Sequence, residues 1–75
     1  MDLVDFLINV HPELPVNERT QLADEICDME GVVSACFSPE HPHMMTITYN
    51  PDAVSSGSVL ERIGLRGIEA SKVGL

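Results

Sequence analysis

From Leu3 to Val10 the side chains are almost all apolar (Leu3, Val4, Phe6, Leu7, Ile8 and Val10), interrupted only by Asp5 and Asn9. A short run of this kind, ending at His11-Pro12, predicts a central strand buried on both faces over much of its length. Pro12 and Pro15 then break the pattern and define a loop, because proline lacks the N–H that a continuing strand or helix would use. Asn17 is a residue type that caps helices, and Leu22, Ile26 and Met29 follow it at i, i+4 and i+7. A helix is therefore predicted from Asn17 to about Glu30, with that stripe facing a core. Gly31 stands where a helix C-terminal glycine belongs.

Period-two alternation takes over after Gly31. Val33 to Ser38 and Met44 to Asn50 read as strands, separated by the turn-forming run Pro39-Glu40-His41-Pro42-His43. Along the later strand Met45, Ile47 and Tyr49 share one face and Thr46 and Thr48 the other. In the earlier one Cys36 alternates with Val33, Ala35 and Phe37 and is expected to face away from the helices. Ser55 can cap a second helix from Ser56 to about Leu65, with Val59, Leu60 and Ile63 inward. Gly64 and Gly67 break it, and Ile68 to Val73 reads as a last strand. The order βαββαβ implies an α+β fold: a four-stranded antiparallel sheet with both helices on one face, in a single domain spanning residues 1–75.

Alternating chain direction has a chemical consequence. The loop after the first strand, the hairpin and the turn after the second helix are expected at one end, which collects His11, Glu13, Glu40, His41, His43 and Arg66. All three histidines of the chain are in that group.

Charge narrows the partners. Lys and Arg number 4 against 12 Asp and Glu, for a formal charge of −8. Phosphate binding needs clustered cations, and Arg19, Arg62, Arg66 and Lys72 are scattered, so nucleic acid is not expected as a partner. Anionic membrane surfaces are disfavoured for the same reason, and no apolar run approaches the roughly 20 residues that span a bilayer. The first ten residues hold Asp2 and Asp5 and no basic segment of the secretory kind, so the chain is expected to be cytoplasmic. Cys27 and Cys36 fall in different layers of the expected fold, which argues against a disulfide or a shared metal and fits free thiols in a reducing compartment.

Enzyme chemistry finds little footing. No Gly-rich phosphate loop, nucleophile elbow or paired metal-ligand motif is present. The segment from Val10 to Asn17 lacks the arginine that acylphosphatases of similar topology need, and Ser34, Cys36, Thr46 and Thr48 give no aromatic or cationic platform for RNA.

Gly31-Val32 after the first helix, Ala35 and Phe37 beyond it, the run Met45-Thr46-Ile47-Thr48-Tyr49-Asn50-Pro51, and then Ser55, Val59, Ile63, Gly67 and Ala70 form a pattern over Val10 to Gly74. That pattern resembles the heavy-metal-associated domain of copper chaperones and metal-transporting P-type ATPases. The resemblance implies a ferredoxin-like fold. It also implies soft-metal binding through a Cys-x-x-Cys pair where the first strand meets the first helix. Counted back from Gly31-Val32, those positions fall at Pro15 and Glu18. Cu(I) selection depends on thiolate or thioether sulfur, so the chain is not expected to be a two-cysteine Cu(I) carrier, and the family's ligands carry over to no residue here.

Two other features carry candidate chemistry. Imidazole suits Zn(II), Ni(II) and Cu(II), and His41-x-His43 offers two ligands from one hairpin, with His11 and Glu40 or Glu13 available to complete a divalent transition-metal site. Met44 and Met45 adjoin that hairpin, but strand alternation puts Met45 in the core and Met44 outside. On the first helix Asp24, Glu25 and Asp28 form a negative outer surface suited to a basic protein partner. The expectation is a non-enzymatic binding module of heavy-metal-associated type without the thiolate pair, acting through a protein partner as a monomer or weak homodimer. The alternatives are a divalent-metal binder and a small-molecule-sensing regulatory domain.

Overall fold

The elements are β1 (Val4–His11), α1 (Val16–Cys27), β2 (Val32–Phe37), β3 (Met44–Tyr49), α2 (Ser56–Gly64) and β4 (Glu69–Val73). The structure is a computed structural model that describes residues 2–11 and 13–73, so Pro12, one of the prolines expected to break the chain, lies outside the described residues. All strands join one sheet in the order β2-β3-β1-β4, and every neighbouring pair is antiparallel. Both helices lie on one face, α1 against β2 and α2 against β4. The α+β arrangement read from the alternation of periods, and the ferredoxin-like fold that the resemblance implies, are what the chain adopts.

The core joins Ile8 and Val10 of β1 to Met45, Ile47 and Tyr49 of β3, then to Leu22 and Ile26 of α1 and Val59 and Ile63 of α2. Each such side chain contributes about 1.5–3 kcal/mol by leaving water, and the paired periods of 3.6 and 2 bring these residues into one layer. Phe6 packs edge-on against Tyr49, with ring centroids 5.2 Å apart.

Sequence and structure part company at three places. β1 is central but is buried on one face only: Ile8 and Val10 are covered, while Leu7 is 40% exposed on the far face beside Val73, its 39%-exposed partner on β4. Both helices are on the other side, and no element among the described residues covers this one. Secondly, α1 starts at Val16 with Pro15, not Asn17, at the cap. The Pro15 carbonyl accepts from the N–H groups of Glu18 (3.0 Å) and Arg19 (2.9 Å), which needs no capping side chain. The helix ends at Cys27 rather than near Glu30, because residues 28–30 form a turn that leads into Gly31 at φ +93°. Thirdly, a bulge between Val32 and Ser34 displaces Val33 from the face it was expected to share with Ala35 and Phe37, leaving it 56% exposed.

Gly31 is the tightest point of the far end. Its carbonyl accepts from Asn50 N–H at 2.7 Å, and a Cβ there would lie 2.8 Å from the Cβ of Ala53. The second helix follows expectation more closely: Ser55 Oγ accepts from Ser58 N–H (3.1 Å), and the helix stops at Gly64. Both sheet edges are blunted against strand addition. The bulge interrupts β2, and on β4 the exposed Lys72, paired with buried Ile8, lies 5.7 Å from the Phe6 ring centroid and donates to Ser56 Oγ (3.3 Å), which places a charge on that edge.

Candidate functional site

The end of the sheet where β1 finishes and β3 begins carries most of the expected chemistry. Val10 N–H donates to the His43 carbonyl at 2.8 Å, which ties the end of β1 to the hairpin, and β4 starts opposite it with Glu69 paired to His11. Inside the hairpin Ser38 N–H donates to Met44 O (2.9 Å) and Met44 N–H to His41 O (2.8 Å), while Ser38 Oγ accepts from His41 N–H (3.3 Å). These bonds hold the backbones of both hairpin histidines, and their rings stand edge to face with centroids 6.0 Å apart.

The remaining expected ligands do not gather round them. His11 closes β1, and Glu13 and Glu40 are exposed. Among the described residues no group of three or more His, Cys, Asp or Glu side chains is placed to hold a metal ion. Arg66, expected at this end, reaches back instead: its Nη1 donates to Glu25 Oε1 on α1 at 3.1 Å, and Arg62 Nε lies 3.5 Å from Glu25 Oε2. Arginine is long enough to cross between the helices, and the carboxylate it finds there is only half-exposed. Glu25 is therefore a clasp between α1 and α2, and of the expected acidic surface only Asp24 and Asp28 stand free at exposed positions.

The mouth of α1 lies at this same end. Leu14 is buried beneath it, and Arg19 Nη1 donates to the Leu14 carbonyl at 3.1 Å, anchoring the approach to the helix. Pro15 and Glu18 occupy the cap and the first turn, where a carboxylate interacts favourably with the helix dipole. Between them Val16 is 67% exposed. It borders a shallow groove lined also by Arg19, Thr20, Ala23, Ala35, Cys36 and Phe37. The sequence did carry a sign of this, since Val16 lies off the stripe of Leu22, Ile26 and Met29 and so cannot face the core with them. Cys27 on α1 and Cys36 on the far face of the sheet are both free and exposed.

No protein-family model matches the chain, and no curated protein matches it. Solved structures do. Oxidised MerP from Ralstonia metallidurans CH34 superposes with a TM-score of 0.86 over 97% of this chain and 100% of that one, at 14% identity. The N-terminal domain of a potential copper-translocating P-type ATPase from Bacillus subtilis, solved in its Cu(I)-loaded state, gives 0.87 over 97% and 90%, at 16% identity. The N-terminal domain of the zinc(II) ATPase ZiaA, solved in its apo form, gives 0.80 over 96% and 67%, at 21% identity. The chain has the fold of these domains, a heavy-metal-associated-like ferredoxin fold. Its own donors at the mouth of α1 do not fit a soft cation: Pro15 has no donor side chain and Glu18 supplies hard oxygen. Among the described residues no helix is long and apolar enough to cross a membrane.

Proposed function

We propose that this protein is a non-enzymatic binding module of heavy-metal-associated type that works through contact with a basic protein partner and does not carry Cu(I). The observation that carries this reading is the pair of residues at the mouth of α1. Counted back from Gly31-Val32, Pro15 and Glu18 fall at the positions of the resembling family's sulfur ligands, and the same mouth presents exposed Val16 beside a shallow groove lined in part by Ala23, Ala35 and Phe37 together with Arg19. An exposed apolar side chain with a carboxylate in the same helical turn suits recognition of a protein surface, in which apolar contact is joined by complementary charge. Glu18 puts a carboxylate in the same first turn as Val16, Asp24 and Asp28 lie exposed farther along α1 and at its C-cap, and the chain's charge of −8 draws a cationic partner from a distance. The blunted sheet edges favour a monomer that offers this surface over a homodimer built through β-strand addition.

A Cu(I) titration against a chromophoric chelator tests the metal half of the reading. The wild-type chain is expected to release Cu(I) to the chelator, whereas Pro15→Cys/Glu18→Cys, which supplies two thiolates at the mouth of α1, is expected to retain one ion per chain. Tight stoichiometric retention by wild type, persisting in Cys27→Ser/Cys36→Ser, would overturn it. Isolation of partners by the immobilised domain tests the other half: captured proteins should elute as salt rises, and Glu18→Lys should weaken capture.

A further inference from the structure

We propose that the β2–β3 hairpin is a two-histidine site for a divalent first-row transition-metal ion, held by His41 and His43 alone. The proposal is independent of the protein-contact reading, which stands whatever the hairpin binds. Two imidazoles sharing a tetrahedral ion, with metal–nitrogen bonds of about 2.0–2.1 Å, have ring centroids about 5 Å apart. The observed 6.0 Å needs roughly one ångström of closing. Histidine χ2 is a broad torsion, so the rings can turn their nitrogens to a common point at low cost. His41 is exposed and His43 half-buried, which leaves the shared space open to a hydrated ion.

The backbone has already met much of the ordering cost. Pro42 separates the two residues and restricts the turn, and each flanking carbonyl is fixed by a 2.8 Å bond, from Met44 N–H to His41 and from Val10 N–H to His43. Ser38 Oγ holds the His41 N–H as well. Pairs held in this way lose less freedom on binding than two histidines on a loose loop. Glu40 next to His41 and the overall charge of −8 raise the local concentration of cations. Because no third His, Cys, Asp or Glu among the described residues joins the pair, water completes the coordination. The site is therefore exchangeable, and imidazole nitrogen gives it the affinity order Cu(II) above Ni(II) and Zn(II).

The test uses the full chain with Cys27→Ser/Cys36→Ser, which removes the two exposed thiols as competing ligands. Zinc(II) alone, then nickel(II) alone, is titrated while histidine ring resonances and calorimetric heats are followed. His41 and His43 are expected to shift together and saturate at one ion per chain, with His11 unmoved. His41→Ala, at an exposed position, should weaken binding by about tenfold, and His41→Gln by as much. His11→Ala should leave it unchanged. Failure of the two hairpin resonances to move, unchanged affinity in His41→Ala, or an equal loss in His11→Ala would each overturn the two-histidine assignment.

Discussion

The two ends of the sheet are built on different terms. At the end where β2 begins and β3 finishes, the chain is knitted: Gly31 accepts from Asn50, backs onto Ala53 and Val54, and leads into a strand that pairs Val32 with Tyr49. At the opposite end the chain presents Pro15, the exposed Val16 and the His41/His43 pair, and its own special glycine, Gly67 at φ +78°, has no atom within 4 Å of where a Cβ would sit. Close packing at one end frees the other from structural duty. Side chains at the open end can then be chosen for what they contact outside the molecule, which is why the candidate chemistry gathers there.

Gly31→Ala should be the most damaging single change. It combines a backbone conformation that L-residues avoid with a 2.8 Å approach to Ala53 Cβ, so a loss of about 2–4 kcal/mol is expected in urea unfolding, with an unchanged slope. Gly67→Ala pays only for the conformation and should cost about 1–2 kcal/mol. Equal losses at the two glycines would break the contrast between the ends. Ser55→Ala removes the side-chain cap of α2 and should cost about 1 kcal/mol, read as a lower thermal midpoint.

The clasp between the helices is weaker. A double-mutant cycle on Glu25→Gln and Arg66→Gln should give a coupling of about 0.2–1 kcal/mol that shrinks in high salt, as expected for a half-exposed ion pair. Smallest of all, Val16→Thr should change stability by less than about 0.5 kcal/mol while weakening partner capture, since its side chain is mostly in water. A large loss of stability there would move Val16 from the open end's surface into its framework.

What could be read without the fold is whatever depends on local period and residue chemistry. The order of the six elements, the inward set Leu22, Ile26, Met45, Ile47, Tyr49, Val59 and Ile63, and the Ser55 cap all follow from spacing, because a side chain's direction in a helix or strand is set by its neighbours along the chain. Absence of sulfur at positions 15 and 18 is equally local. Four things depend on distance through space and were settled only by packing. Leu7 is left partly in water because both helices chose the other face. Val33 is turned out by a bulge against β3. Arg66 is drawn from the histidine end to Glu25 across 41 residues of chain. His41 and His43 come together without His11, Glu13 or Glu40 assembling a larger ligand group, because topology brings loops to one end but only side-chain packing sets the ångströms on which coordination depends.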